Sequence, residues 1–491
     1  MVTTNLIVLV IYLALMIGIS VWGYKRTANS DDYFVAGRSL GVWVSVGSYT
    51  STLISAWSIL GATGYFYNIG WAGYWQFSGT IATSLFAAMW FGEKIRSTGL
   101  VSLPDILSAR YYSNWMRGVT GFIIFIGTML FLTVQAMGCG VIFNQILGIP
   151  NEIGIVVGVL IFLVFTVTGG MHSVAWTDFA QAVLIFLGVI LAVVIGLNQV
   201  GGFSELHYQV AAKNPQFLDP YGGGKMGLLM IINWFVIWGI GNLGTPHFMS
   251  RFLSCKDIKV VRLSQGLTAI AFASFYFIIG TIGAIAYILL PGITNPELVG
   301  PTFIAKMLPP VVAAIVMSAV VAAVMSTAAS ILLVGATTFV RDFYQGFSQK
   351  DVSEKQLLTM SRWVTIIISV IATILALKGI STIFWLQAHM VATMGASLGT
   401  ALVAAFAWKR ANREGGLASV IGGAGVTTIW FFFELQKVTG VHPVIPGTIT
   451  AIVLLIAVSL ATKAPPQEVI DRFFPDKKKN AEAASGAVSA N

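Results

Sequence analysis

Charge is what this chain lacks most. Only 10% of its 491 residues are Asp, Glu, Lys or Arg, where a soluble domain carries about 25%. Apolar residues make up 56%, and the mean hydropathy is +0.83. So little charge excludes a water-facing surface for a globule of this size and leaves lipid as the outer solvent. Cysteine is nearly absent. Cys139 and Cys255 lie in different segments, which excludes a disulfide framework or a cysteine metal motif. Acids number 19 against 28 bases, a net charge of +9. The bases form short clusters between apolar runs, so they read as membrane-topology signals and not as a nucleic-acid surface.

Apolar runs near the length a bilayer requires, about 20 residues, predict thirteen transmembrane helices: 5–23, 42–64, 73–92, 118–144, 152–169, 177–198, 226–249, 264–291, 310–338, 363–379, 382–407, 416–434 and 446–462. The first has no basic residues before it and no small-residue cleavage site after it, so it reads as a retained helix. The connections alternate in character. Twenty-three of the 28 bases fall on one side, among them Arg38, Arg110, Arg251, Arg341 and the tail's Lys477–Lys479. The positive-inside bias then puts the N-terminus outside and the C-terminus in the cytoplasm of a multi-pass cell-membrane protein. The polar residues after 463 read as a disordered cytoplasmic tail.

Two of these helices are poor for their depth. The second, "VSVGSYTSTLISAWSILGATG", carries hydroxyls at Ser45, Ser48, Thr50, Ser51, Thr52, Ser55 and Ser58, and the seventh, "NWFVIWGIGNLGTPHFMSRF", holds Gly239, Gly241, Gly244 and Pro246 within eight residues. Glycine weakens a helix and proline removes a donor. Unwound backbone at membrane depth is tolerated only where protein or a watery cavity covers it. Helices 2–6 (42–198) and 7–11 (226–407) form two candidate repeats, each opening on a weakened helix, which is where transporters build substrate and ion sites. Residues 1–41 precede the repeats and two peripheral helices, 416–462, follow. In the ninth helix Ser326 and Thr327 sit side by side among alanines and valines. Such hydroxyls either back-bond to their own helix or wall a cation cage; the pair alone does not say which. Asp178, flanked by apolar residues in helix 6, is a functional hypothesis by default, with helix capping as the plain alternative.

Four stretches together carry a resemblance: "DDYFVAGRSLG" (31–41), "TGGMHSVAWTDFAQA" (168–182), "WGIGNLGTPHFMSRF" (238–252) and "AAVMSTAAS" (322–330). They resemble the sodium:solute symporter family over about residues 5–462. "GTPHFMSRF" is similar to its proline and pantothenate branch, and "LPPVVAAIVMSAVVAAVMSTAAS" with "GVHPVIP" to pantothenate symporters. The resemblance implies an all-α LeuT-type inverted repeat of five plus five helices, one extra before and two after. It implies a sodium site from the carbonyls of Ser51, Ile54 and Ala323 and the hydroxyls of Ser326 and Thr327. It places Asp178 on the sodium exit path. Relatives with a second sodium site use two serines where this chain has Ala329 and Ser330, so a single coupled sodium is expected.

The solute is expected beside the two breaks. Candidate ligands are Ser55, Trp57 and Ser58 on helix 2, Tyr74 and Gln76 on helix 3, Trp238, Asn242 and Thr245 on helix 7 and His389 on helix 11. Helix-break amides suit a carboxylate, and the two tryptophans either close over an apolar body or merely pack. Proline-carrying relatives have a charged or aromatic residue where this chain has Leu53 and Asn242. The expected solute is therefore a small carboxylate such as pantothenate, ahead of short monocarboxylates and proline. The expected protein is a sodium-coupled importer working as a monomer by alternating access, with proton coupling, a channel or a sensor as rivals. It is not an enzyme. "GASLG" (395–399) matches the hydrolase elbow G-x-S-x-G, but Ser397 is mid-helix, where that chemistry has no strand-to-helix turn.

Overall fold

The apolar runs fold as helices because backbone amides removed from water need partners within the same segment. The computed structural model describes residues 2–26, 32, 35–168, 171–344, 353–379 and 381–475; the Ser326 side chain lies outside the described residues. The chain opens with α1 (Val2–Tyr24). The serine-rich run gives α2 (Val42–Leu53), a break, a π-helical turn over Trp57–Gly61, and α3 (Ala62–Ile69). A 3-10 stretch (Gly70–Phe77) leads into α4 (Ser78–Phe86) and α5 (Gly92–Ser97); α6 (Leu103–Arg110) is a connector. There follow α7 (Asn114–Leu147), α8 (Asn151–Thr168), α9 (Met171–Val200) and the connector α10 (Phe203–Lys213). The glycine-rich run gives α11 (Leu228–Leu243) and, bent by 52°, α12 (Pro246–Ser254). The rest is α13 (Ile258–Leu289), α14 (Val299–Met307), α15 (Pro310–Thr338), α16 (Glu354–Lys378), α17 (Ile383–Met394), α18 (Thr400–Ala407), α19 (Arg413–Phe432), α20 (Leu435–Thr439), α21 (Val444–Ala461) and α22 (Gln467–Phe473).

Among the described residues nine helices are long and apolar enough to cross a membrane, ten with the bent α11–α12 pair. Thirteen spans remain the expectation of the sequence; the serine-rich and 70–97 segments are too interrupted, and α8 too little covered by described residues, to enter that number. Helix ends run further than the apolar runs because polar caps extend them. Ser113 accepts from the Met116 amide to start α7, and Ser353 forms a capping box with Gln356 to start α16. The expected disordered tail begins ordered. Phe473 on α22 is buried and packs against Phe406 with ring centroids 5.7 Å apart, an apolar anchor hidden in a polar stretch. Residues 476–491 lie outside the described residues.

Two arginines counted as loop charges are buried. Arg110 donates to the carbonyls of Ala405, Trp408 and Ala411, each at 2.9 Å, satisfying the chain end beyond α18. Arg251 is the other.

On the face away from most bases, the segment before α14 straps over α3. Tyr67 Oη donates to Leu290 O (3.0 Å) and accepts from the Ile293 amide (3.3 Å). Gly64 meets the Pro296 carbonyl so closely that a Cβ would lie 2.1 Å from its oxygen. The Glu297 carboxylate accepts from the Ile383 amide at 2.6 Å, at the start of α17. Burial pushes this carboxyl above the ordinary glutamate range, opposed by that hydrogen bond. The folded form therefore holds its proton more tightly than the unfolded form, so this group's contribution to stability falls as pH rises through the interval above the unfolded glutamate value. Glu297→Gln keeps the acceptor and has no charge to bury. Melting temperature plotted against pH between weakly acidic and neutral conditions should lose part of its downward slope in this variant; an unchanged slope sinks the assignment.

Candidate functional site

The break between α2 and α3 is built by redirected amides. In an unbroken helix the Ser55 and Ser58 amides would donate to the Ser51 and Ile54 carbonyls. Instead Ser55 N–H goes to Ser58 Oγ (3.4 Å) and Ser58 N–H to Ser55 O (3.0 Å). Ile54 itself is extended, at φ −88° and ψ 100°. The Ser51 and Ile54 carbonyls thus lose their helical donors, as the resemblance implies for a cation site. Ser58 is used up by the same construction: its hydroxyl donates to Leu53 O (2.9 Å) and accepts from Tyr276 Oη (2.6 Å).

α15 packs against α2. On it Thr327 is buried and its Oγ1 has no partner among the described residues, unlike Thr52, Thr63 and Thr133, which back-bond to a preceding carbonyl. Ser51 Oγ and Thr50 Oγ1 on α2 are likewise buried without partners. Ala323 is buried one turn before Thr327. Unpaired buried oxygens are costly unless something else meets them. Of these hydroxyls Thr327 Oγ1 is one expected to face sodium; for Ser51 and Ala323 the expectation is the backbone carbonyl, and Thr50 carries none.

Trp57 lies at the start of the π turn, in ring contact with Trp238 (centroids 4.6 Å), Phe384 (5.7 Å), Phe77 (5.8 Å) and Tyr276 (6.0 Å). The indole Nε1 atoms of both tryptophans are buried and unpartnered. Asn242, one turn after Trp238, donates through Nδ2 to Thr80 Oγ1 (3.1 Å) and leaves Oδ1 unpaired. Gln76, one turn before Thr80, is fully buried with both ends of its amide unpaired. The faces carrying Trp238–Asn242 and Gln76–Thr80 therefore meet beside the break. Unpaired donors (Trp57, Trp238, Gln76) and acceptors (Asn242, Gln76) gather there, and none of these side chains carries a formal charge.

Other expected ligands are turned elsewhere. Thr245 Oγ1 back-bonds to Gly241 O (2.8 Å). Tyr74 Oη donates to Phe277 O on α13 (3.1 Å), with its ring stacked on Trp71. His389 stacks on Phe431 of α19 at 3.7 Å, so it serves the peripheral helices and not the break. Ser55 is buried, and its backbone serves the break. Ser397 Oγ back-bonds to Thr393 O (2.7 Å), as a mid-helix serine does.

On the basic side of the break, Asp178 meets a partner the sequence reading missed. Its Oδ2 accepts from Arg251 Nη2 (2.9 Å) and Ser48 Oγ (2.9 Å), with side chains 1% and 2% exposed for Asp178 and Arg251. Arg251 also donates through Nη1 to His247 O (2.7 Å). Asp178 sits in the second turn of α9 and does not cap it. The pair fastens α12 to α9 and α2. Tyr49 stacks on Phe252 (5.6 Å) beside it, and Leu40 N–H donates to Ser254 O (3.2 Å). The signal was present: an arginine in a short apolar helix, one turn after His247, in a chain whose other strongly apolar segment holds one acid. Gln135 is the second residue missed. Its Oε1 accepts from the Ala56 amide at the break.

A model of the sodium:solute symporter family matches residues 33–423. The chain belongs to that family. Two proline transporters of Bacillus subtilis (strain 168), osmoregulated OpuE and high-affinity PutP, are 29% and 28% identical to it. Each alignment covers 93% of this chain, and 94% and 98% of the respective relatives. A sodium/proline symporter of Staphylococcus aureus is 26% identical over 94% of this chain and 93% of its own length. Among solved structures, a Na+-coupled sialic acid symporter in a substrate-bound outward-open state superposes with TM-score 0.79 at 20% identity, over 94% of this chain and 98% of that one. The closed nucleobase-cation symporter Mhp1 gives 0.58 at 14%, over 91% and 97%. The all-α LeuT-type fold expected from the sequence is the fold these structures share with this chain, and as a member of a symporter family the chain is a membrane transporter and not an enzyme. The expectation of pantothenate is not supported: these relatives are named for proline. It rested on two short apolar motifs, while the proline alternative fits these relatives better.

Proposed function

We propose that this family member is a sodium-coupled symporter whose solute is a small zwitterion, L-proline first. The carrying observation is the uncharged, unpaired set beside the break. A zwitterion needs donors for its carboxylate and acceptors for its ammonium, and no net charge to balance. Trp57 Nε1, Trp238 Nε1 and Gln76 Nε2 supply the first; Asn242 Oδ1 and Gln76 Oε1 supply the second. Leu53 and Asn242, read from sequence as departures from proline carriers, fit this reading: Asn242 offers a neutral acceptor. Pantothenate, a net anion, offers no ammonium for the Asn242 and Gln76 acceptors. The names of the relatives support the same solute.

Sodium is a co-substrate here, held by the carbonyls of Ser51, Ile54 and Ala323 with the Thr327 and Ser326 hydroxyls, one ion per solute. It ties α2 to α15 and favours the state open on the sparsely basic side. The positive-inside bias makes that the outer side, with the N-terminus outside. Solute then parts the Trp57 and Trp238 rings, and its departure on the cytoplasmic side requires Arg251 to leave Asp178. Because both ligands act on the same break, each raises the other's affinity by the same factor. All these residues come from one chain, so a monomer suffices.

Reconstituted vesicles test this. With an inward sodium gradient, labelled proline should accumulate above its outside concentration, and replacing sodium by potassium at fixed pH should abolish it. Accumulation of pantothenate or acetate in place of proline overturns the zwitterion; uptake driven by a pH gradient without sodium overturns the ion; equilibration without accumulation makes the protein a channel.

A further inference from the structure

Gln135 on α7 is fully buried, and it lies at the break of a different helix. Its Oε1 accepts from the Ala56 amide (3.5 Å), which an unbroken helix would give to Thr52 O. The need of Ala56 N–H for an acceptor fixes which end of the side-chain amide is oxygen. The other end, Nε2, is buried and has no partner among the described residues. One turn on, Gly138 faces Ala56 so closely that a Cβ would lie 2.5 Å from the Ala56 Cβ. Positions 135 and 138 share a helical face, so α7 is fitted to the break at two points, one steric and one polar.

A glutamine with one end engaged and the other idle at full burial is an expensive choice for a packing position. An apolar residue of the same length would fill the space. The engaged end keeps the Ala56 amide from rejoining Thr52 and so keeps α2 broken. The break in turn is what frees the Ser51 and Ile54 carbonyls. The idle end presents two N–H donors, and the two ends belong to one rigid plane, so both lie at the break.

We propose that Gln135 is the coupling residue of this transporter: its carbonyl end holds the sodium-facing backbone open while its NH2 end donates to the solute carboxylate. It is a solute ligand at one end and a positioning residue at the other. The proposal rests on the symporter reading above. When solute docks on Nε2, the amide plane is fixed, and the Ala56 contact is fixed with it. Sodium then meets a break already held in shape. The same linkage run backwards lets sodium orient Nε2 for the solute.

The test separates the two ends. Full-length protein in nanodiscs is titrated with labelled L-proline at saturating sodium, and with sodium alone by tryptophan fluorescence, which Trp57 and Trp238 report. Gln135→Glu keeps an acceptor for Ala56 and replaces the NH2 by oxygen. It should weaken proline binding about tenfold or more and leave the sodium midpoint without proline within about threefold of the parent. Gln135→Met removes both ends and should raise the sodium midpoint as well, by about tenfold. In both variants proline should no longer lower the sodium midpoint. A role in packing alone shifts both titrations together with the melting temperature, in either variant. Parent-like proline affinity in Gln135→Glu, or a parent-like sodium midpoint in Gln135→Met, overturns the proposal. If one variant does not fold, the other decides by its own criterion. If the parent itself binds no proline in sodium, it is the symporter reading that fails, and the two failures are told apart by that control.

Discussion

Arg251→Met should cost about 3–5 kcal/mol of stability, because it leaves the Asp178 carboxylate buried beside hydroxyls with its cation gone. The charges are 1% and 2% exposed and 2.9 Å apart, so water does not soften the loss. Adding Asp178→Asn to that variant should recover most of it, since an amide in that place can use the Ser48 and Thr52 hydroxyls without a charge to solvate. Melting temperatures of the two single variants and the double form a cycle. A double variant no more stable than Arg251→Met shows that the ion pair is not what the energy comes from. The functional consequence is separate. With the fastening gone, α12 is held to α2 by the Tyr49 stack and to the preceding loop by the Leu40 hydrogen bonds. Cys255, buried at the end of α12 with its thiol donating to Arg251 O at 3.2 Å, should then react with a polar thiol reagent applied from the basic side at least severalfold faster in the double variant. Equal labelling rates mean that the pair stabilises the fold without gating it.

Thr327→Ala should raise the sodium concentration for half-maximal uptake about tenfold or more while leaving the melting temperature in sodium-free buffer unchanged or slightly higher. The reason is that Thr327 Oγ1 has no partner among the described residues. Deleting a buried hydroxyl that nothing satisfies removes a desolvation cost and no internal hydrogen bond, so a structural role predicts almost no effect. An ion ligand predicts a large one, confined to sodium. Thr327→Ser should restore most of the parent midpoint. Sodium dependence that is unaltered in a well-expressed Thr327→Ala protein would falsify the cation-site assignment.

Much of the site was legible because it consists of composition faults. Serines in a lipid-length run, three glycines and a proline in another, a hydroxyl pair among alanines: each is an anomaly against a strong background, and Trp57, Trp238, Gln76 and Asn242 gather where the first two faults fall, with Thr327 on a helix packed against α2. The residues that moved out of the site did so for reasons a linear sequence does not carry. Tyr74 faces α13 and His389 faces α19 because helix rotation is set by the neighbours each face packs against. Ser58 was foreseen as a solute ligand, yet its lone pairs and proton are taken by the break it sits in.

By itself, the sequence determined that this chain lives in lipid, where its helices weaken and which oxygens have no reason to be there, since these follow from hydropathy and local backbone chemistry. Only the tertiary structure decided that Arg251 answers Asp178 and that Gln135 answers Ala56. Those pairs join residues 73 and 79 positions apart, and a buried charge or amide acquires its meaning only from what the fold brings within hydrogen-bonding reach.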